Sequence, residues 1–224
     1  DIIFLSSQNS IKMFNEMFIK YANSKKIKLP IFIEIGYPKF DFIEKKLKSY
    51  SEIQKDSILI SPTNFYGFPD INLINNLKEL INELLLKTEF NIIFRPHPSN
   101  RHDPKILEIK NFFESNSKFG YDISEDYSSI YSKSMFLITD QSDTAYMFAF
   151  LTLQPVIFFP HDEKKIRSYN YHNLNYFINR EKIGVIVNQV HLIPEKIKEL
   201  RHKLKEYEFS ILKIRKEIKY LGQS

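Results

Sequence analysis

Residues 92–98 have the sequence IIFRPHP, and residues 137–144 have the sequence LITDQSDT. In both segments an apolar run ends and a polar turn begins at once. Open α/β sheets bind ligands just beyond the carboxyl ends of their strands, so we expect the two turns to meet at one crevice. The first turn brings a cation and an imidazole. The second brings hydroxyl groups and the amides of a helix start, which is a natural anion site.

Short apolar runs alternate with amphipathic segments along the rest of the chain. We predict strands at residues 2–5, 31–35, 57–61, 90–95, 135–139, 155–159 and 183–187. We predict helices at residues 11–23, 42–50, 71–87, 105–114, 128–133 and 144–153. Nearly continuous apolar strands separated by helices are typical of a parallel sheet that is covered on both faces. The sequence therefore predicts an α/β fold with a Rossmann-like parallel sheet flanked by helices.

The two ends of the chain differ from this regular middle part. Residues 1–50 precede the turn-like loop at 61–67 and look like the end of a preceding domain or a linker segment, although they could equally extend the sheet. We assign residues 51–190 to the Rossmann-like nucleotide-binding domain and residues 191–224 to a C-terminal helical segment. Because the chain has no initiator Met, we expect it to be a piece of a longer protein.

The C-terminal segment carries an apolar stripe with alternating spacings of four and three residues. This spacing predicts one long helix or two consecutive helices. We favour packing of the stripe against its own domain or a partner domain, and an intermolecular coiled coil is the alternative. The residues of the stripe are Ile193, Ile197, Leu200, Leu204, Tyr207, Ile211, Ile214, Ile218 and Leu221.

The composition excludes several classes of protein. With 43% hydrophobic and 15% aromatic residues in 224, the chain is not disordered, and without cysteine it has neither disulfides nor a thiolate metal site. No apolar stretch approaches the roughly 20 residues of a membrane span, and the start does not resemble a signal peptide. The net charge of +5 is not arranged as a basic stripe between aromatics, so no nucleic-acid partner is expected. HExxH, Walker and GxSxG patterns are absent, so we expect neither a metal nor a cofactor.

Five short motifs occur in an order that carries a family resemblance. They are GYPKFD at 36–41, ILISPTN at 58–64, IIFRPHP at 92–98, LITDQSDT at 137–144 and PVIFF at 155–159. Together they resemble the CDP-glycerol glycerophosphotransferase family, the teichoic-acid and capsule polymerases with a GT-B fold.

The resemblance implies that this chain is the C-terminal, donor-binding domain of such an enzyme. It implies a CDP-linked donor, transfer of a polyol phosphate to a growing chain, and no metal requirement. It also implies that an N-terminal acceptor domain with a further catalytic histidine is largely absent from this sequence. The enzyme would be cytoplasmic and peripheral on the inner face of the cell membrane, with membrane contact through parts outside this chain.

Two residues of the first turn are candidate catalytic residues. His97 lies between two prolines that hold the backbone extended, which suits an imidazole aimed at a phosphate. It would donate to a non-bridging oxygen or act as the acid that helps the nucleotide leave. A capping or surface position is the alternative for His97. Arg95 could bind a diphosphate through its planar fork or form a structural ion pair, and both readings stay open.

The second turn holds the main candidates for donor binding: Asp140, Ser142, Asp143 and Thr144. Ser142 or Asp140 would make a good N-cap for the helix that starts near Thr144. If the helix amides bind a phosphate instead, Ser142 and Thr144 add hydroxyl donors. A carboxylate at Asp143 would then compete with that phosphate.

Other candidates surround this crevice. The loop 62–67, with Thr63, Asn64 and Gly67, would close one side, and the donor base would lie against residues 121–126. Tyr146 could contact the donor through its hydroxyl or be a core aromatic. His102 could extend the basic rim, and His161 with Asp162 could line the crevice mouth, with a solvated loop as the default.

The sequence predicts a transferase that moves a polyol-phosphate or sugar group from a nucleotide-diphosphate donor. The acceptor would be a cell-surface polymer or its lipid-linked precursor. A nucleotide-sugar glycosyltransferase or epimerase of the same fold is one alternative. A non-catalytic α/β module that binds a partner through the C-terminal stripe is the other.

Overall fold

The computed structural model describes residues 1–6, 8–25, 28–50, 52–67, 71–160, 162–168 and 175–218. Its strands are β1 (Ile2–Leu5), β2 (Ile31–Glu34), β3 (Ser57–Ile60), β4 (Asn91–Phe94), β5 (Phe119–Tyr121), β6 (Ser134–Thr139), β7 (Val156–Phe158) and β8 (Gly184–Ile186). Its helices are α1 (Gln8–Lys25), α2 (Pro38–Leu47), α3 (Leu77–Lys87), α4 (Pro104–Phe113), α5 (Ser128–Lys133), α6 (Thr144–Thr152), α7 (Glu163–Ser168), α8 (Asn175–Ile178), α9 (Arg180–Ile183), α10 (Ile193–His202) and α11 (Leu204–Ile218).

Six parallel strands form the main sheet in the order β5-β4-β3-β6-β7-β8. The chain runs outward from β3 to β5, returns to the centre at β6, and then runs outward to β8. The strand order therefore reverses between β3 and β6, and the crevice beyond their carboxyl ends is the topological switch point where such sheets bind ligands. The predicted Rossmann-like sheet flanked by helices is confirmed.

Alternating side chains of β3 bury two separate cores on the two sheet faces. Ile58 and Ile60 belong to the core under α3, α4 and α10, and Leu59 belongs to the core under α5, α6 and α11. All three residues are fully buried. A strand covered on both faces needs this continuous apolar sequence, because neither of its sides meets water.

The C-terminal stripe divides between the two faces of the sheet. Ile193, Ile197 and Leu200 of α10 lie in the first core, and Ile211 and Ile214 of α11 lie in the second. The stripe forms two consecutive helices that pack on their own domain, which is the reading we favoured. The predicted stripe residue 221 lies outside the described residues.

Residues 1–50 divide into two parts. β1 and β2 pair in parallel in a separate two-stranded sheet, so they do not extend the main sheet. α1 covers one face of this small sheet, where Phe14 and Phe18 contact Phe32. α2 packs instead against α5 and α6, and its Ile43 lies in the second core of the main domain.

Some elements were not predicted from the sequence. β5 is a three-residue edge strand, FGY, whose central glycine gives little strand signal. α7, α8 and α9 are helices of four to six residues, too short for a helical period to show. All predicted strands and helices are present, with ends shifted by a few residues.

Candidate functional site

The candidate site is formed by the loops that follow β3, β4 and β6. These strands are neighbours in the sheet, so their loops leave the same edge side by side. Side-chain to backbone hydrogen bonds connect the three loops. The two turns that the sequence predicted to converge leave the same edge of the sheet, and the β3 loop between them is bonded to the loops of both.

Asp140 connects the β6 loop to the β3 loop. Its Oδ1 accepts hydrogen bonds from the N–H groups of Thr63 (2.8 Å) and Gln141 (2.6 Å), and its Oδ2 accepts one from Leu73 N–H (3.0 Å). The side chain is 1% exposed. Burial raises the pKa of Asp140 to about 6, although the backbone donors oppose that shift. Both carboxyl oxygens are thus directed at the protein backbone.

Asn100 and Tyr66 connect the β4 loop to the β3 loop. The buried Asn100 accepts a hydrogen bond from Phe65 N–H (3.3 Å), and Tyr66 Oη donates to Asp103 Oδ2 (2.6 Å). Within the β3 loop, Asn64 closes an Asx turn by accepting from Tyr66 N–H (3.2 Å). Gly67 N–H donates to the backbone oxygen of Asn64 (3.1 Å).

His97 lies half-buried between Pro96 and Pro98, at the start of a 3-10 turn. Its Nδ1 accepts a hydrogen bond from Ser99 N–H (3.2 Å), so the neutral imidazole carries its proton on Nε2. Burial lowers the pKa of His97 below its usual 6.5. At neutral pH this side chain is therefore an uncharged N–H donor rather than an imidazolium acid.

Arg95 forms a structural ion pair. Its guanidinium pairs with Asp122, donates from Nη2 to the backbone oxygen of Ser124 (2.6 Å), and lies 4.0 Å above the ring centre of Tyr127. The arginine is 6% exposed. These contacts hold the segment 121–127, and we predicted the donor base to lie against residues 121–126 of it. Of the two readings left open for Arg95, the structure shows the ion pair.

At the start of α6, one backbone N–H group is bound by a side chain and two others have no acceptor among the described residues. The N-cap position is Asp143, and of the two predicted caps only Ser142 binds an amide at the helix start, because its Oγ accepts from Thr144 N–H (3.3 Å). The carboxylate of Asp143 makes no cap hydrogen bond and faces a neighbouring pocket. Among the described residues, the N–H groups of Ser142 and Asp143 have no protein acceptor. The expected competition between Asp143 and a phosphate for these amides is therefore not observed.

Tyr146 is a half-buried aromatic residue one turn into α6. Its hydroxyl donates to the backbone oxygen of Tyr176 (2.7 Å), and the two rings lie 5.3 Å apart. Tyr176 Oη in turn donates to the backbone oxygen of Ser142 (3.1 Å). Burial raises the pKa of both phenols, so both are neutral donors. Tyr176 was missed in the sequence, because nothing in its local pattern places it under the β6 loop.

Three further polar residues lie near the crevice or were expected there: Gln141, Asp162 and His102. Gln141 was not predicted, and both polar atoms of its side-chain amide are buried without a hydrogen-bond partner within the described residues. Asp162 accepts from Lys165 N–H (3.1 Å) at the start of α7. His102 is exposed in the turn before α4, and His161 lies outside the described residues. In the described ranges, no three His, Asp or Glu side chains cluster as a metal site.

The sheet order and the crevice at its switch point define a GT-B-type α/β domain. A family model described as CDP-Glycerol:Poly(glycerophosphate) glycerophosphotransferase matches residues 1–220, and the chain belongs to this family. The family predicted from the five motifs is confirmed. No curated protein matches the chain. In the part of the chain that the structure describes, no helix has the length and hydropathy to cross a membrane.

Solved structures share this fold at low sequence identity. A variant of the wall teichoic acid polymerase TagF, soaked with CDPG, aligns over 96% of this chain with TM-score 0.60 and 22% identity. Another TagF structure aligns over 96% with TM-score 0.59 and 21% identity. UDP-GlcNAc 2-epimerase from Neisseria meningitidis bound to UDP-GlcNAc aligns over 84% with TM-score 0.53 and 19% identity. The chain spans about half of these proteins, 51% and 52% of the TagF chains and 52% of the epimerase.

Proposed function

We propose that this chain is the donor-binding part of a transferase that takes a polyol-phosphate or sugar group from a nucleotide-diphosphate donor, with a CDP-linked polyol as the favoured donor. The observation that supports this most directly is the start of α6, where two backbone amides have no acceptor among the described residues. They lie at the switch point of a chain that belongs to the glycerophosphotransferase family. The acceptor would be a polymer or a lipid-linked molecule. Its place at the inner face of the membrane stays a prediction.

The donor diphosphate would lie between His97 and the segment Ser142–Thr144. The amides at the start of α6 and the hydroxyls of Ser142 and Thr144 would donate to its oxygens, and the helix dipole would favour its charge. His97 Nε2–H would donate to a non-bridging oxygen. We prefer this role to that of an acid, because an imidazole with a lowered pKa holds no second proton at neutral pH.

Arg95 and Asp140 would act on the donor indirectly. Asp140 would fix the β3 loop, with Thr63, Asn64 and Gly67, against the β6 loop. Arg95 would fix the segment 121–126 that is proposed to receive the base. This revises both residues from contact groups to positioning groups, because their polar atoms already have protein partners.

In the proposed reaction, an acceptor hydroxyl attacks the phosphorus next to the polyol. The new O–P bond forms as the hydroxyl proton passes to water and the bond to the nucleotide phosphate breaks, and the nucleoside monophosphate leaves. Charge builds on the leaving phosphate, where donors from α6 and His97 would stabilise it. The fold is equally compatible with an epimerase, which is the alternative function. The match to the glycerophosphotransferase family favours group transfer instead.

Calorimetric titration of CDP and UDP tests the donor site. We expect His97→Ala and Ser142→Ala each to weaken CDP binding by about ten- to a hundredfold, since each loses a hydrogen bond to a charged group. His191→Ala and Ser117→Ala are matched controls at exposed positions away from the crevice. If wild type binds neither nucleotide, or if the site variants and the controls bind alike, the assignment is wrong.

A further inference from the structure

A pocket with a cavity volume of about 380 Å³ lies on the outer side of α6. Its walls are mostly aromatic and apolar: Tyr37 and Phe40 at the start of α2 face Tyr146, Met147 and Phe150 of α6. Tyr37 and Phe40 belong to the GYPKFD motif, to which the proposed function gives no part. The volume and the apolar lining are typical of a small-molecule site.

One carboxylate at this pocket has no partner among the described residues. Asp143 lines the pocket, and its carboxylate forms neither a cap hydrogen bond nor an ion pair there, although its backbone oxygen accepts from Met147 N–H (3.4 Å). Partial burial raises the pKa of this carboxyl. A partly desolvated carboxylate without donors is costly, and such groups cluster at functional sites. It is suited to accept hydrogen bonds from the hydroxyl groups of a ligand.

The cation at the pocket is already engaged. Arg215 donates to the backbone oxygen of Phe150 (3.0 Å), pairs with Glu44 (2.6 Å), and lies 5.0 Å from the ring centre of Phe40. Its charge is therefore largely compensated, and among the described lining residues Asp143 is the charged side chain without an ion-pair partner. A phosphate would be repelled from this pocket, whereas a neutral group with several hydroxyls would not.

We propose that this pocket binds the neutral polyol group of the donor, with Asp143 accepting its hydroxyls and the rings of Tyr37 and Phe40 packing against its C–H groups. The proposal rests on the proposed function, which places the diphosphate at the amides of Ser142 and Asp143. Because Asp143 both lines the pocket and carries one of those amides, the pocket adjoins the proposed diphosphate position, where a group joined to the terminal phosphate would lie.

Titration of CDP and CDP-glycerol into the full chain tests this assignment. In wild type we expect CDP-glycerol to bind about tenfold more tightly than CDP, because hydroxyl hydrogen bonds to a charged acceptor are added. Asp143→Asn removes the acceptor charge at constant shape, and Met147→Trp fills the cavity. In both variants we expect the ratio of the two dissociation constants to fall to about one.

Leu86→Trp is the matched control for Met147→Trp, since Leu86 is 72% exposed on α3, and the wild-type ratio should persist in it. Thermal melts show whether each variant is folded, and Asp143→Asn carries the test if Met147→Trp is not. A wild-type ratio of one, or a ratio unchanged in Asp143→Asn, overturns the pocket assignment while the proposed function stands. Absence of CDP binding in wild type overturns both.

The acceptor's terminal polyol has the same chemistry as the donor's. Titration of glycerol 3-phosphate into the chain saturated with CDP separates the two sources. If wild type shows no preference for CDP-glycerol, yet glycerol 3-phosphate binds and Met147→Trp abolishes that binding, the pocket holds the acceptor and our assignment to the donor is wrong.

Discussion

β3 and β2 are both four-residue apolar strands, SILI and IFIE, and their surroundings differ completely. All four residues of β3 are buried, whereas β2 has three exposed residues and one half-buried residue. β3 lies between two strands and has helices on both faces, while β2 pairs with one strand and is covered by α1 on one face. The position of a strand in the sheet, rather than its composition, decides how deeply its side chains are buried and how much they contribute to the stability of the fold.

The uncovered face of the small sheet is apolar along both strands. Ile2 and Phe4 of β1 and Ile31 of β2 are each more than half exposed. They alternate with residues that face α1, and the register pairs Ile2 with Ile31. An apolar patch of this kind is typical of a surface that other protein covers. The main sheet shows no such face.

The largest expected effect on the free energy of unfolding comes from truncating an isoleucine of β3, compared with the same change at an isoleucine of β2. Ile60→Ala removes three methyl or methylene groups from a fully buried site and should lower the free energy of unfolding by about 2 to 5 kcal/mol. Ile31→Ala, at a residue 61% exposed, should change it by less than about 0.5 kcal/mol. Urea denaturation of the full chain measures both. Equal losses would show that β2 is as tightly packed as β3.

Much of this architecture follows from periodicity in the sequence. Ile58 and Leu59 were predicted to lie in a strand because a short, continuous apolar run between turns is typical of a buried strand. The contrast between β3 and β2 was not predictable, since their sequences differ little. The burial of β3 depends on contacts with helices that lie far away along the chain.

The candidate site was predictable as a location but not as a set of contacts. The turns at Arg95 and Ser142 were placed at one crevice, because parallel strands end at the same edge of the sheet. The partners of Arg95 and Asp140 come from residues 27 and 77 positions away, Asp122 and Thr63, and no local pattern announces them. A polar residue at a strand end has the same sequence signal whether it binds a ligand or its own backbone.

Asp140→Asn should have the second-largest effect. At pH 5 we expect a loss of about 1 to 3 kcal/mol in the free energy of unfolding, because the amide nitrogen cannot accept from one of the three buried N–H donors. The folded pKa of about 6 lies above the unfolded 3.8, so wild-type stability falls as pH rises from about 4 through 6. The variant lacks this carboxyl, so its disadvantage should shrink toward pH 7.

Denaturation at pH 5 and pH 7 measures this change. Asp162→Asn is a suitable control, since Asp162 is exposed and accepts from Lys165 N–H (3.1 Å) at the start of α7. It should retain the wild-type loss of stability between the two pH values. A disadvantage of Asp140→Asn that grows with pH would mean that Asp140 is stabilised as a carboxylate.

The smallest expected effect on the free energy of unfolding concerns the contact between α2 and the segment before α5. Lys46 of α2 pairs with Asp126 before α5 (2.8 Å), and this contact is the main reason that the pKa of Asp126 is lowered to about 2. Both side chains are about 40% exposed, so solvent screening limits the pair to less than about 1 kcal/mol. A lowered carboxyl pKa gives stability that is present above pH 4 and is lost as pH falls through 2. In urea denaturation, Lys46→Met should therefore have a lower free energy of unfolding than wild type at pH 5, and the difference should be smaller at pH 3. Lys45→Met, at an exposed position of the same helix, is the control. A loss well above 1 kcal/mol would show that α2 is held mainly by charge rather than by Ile43 in the core.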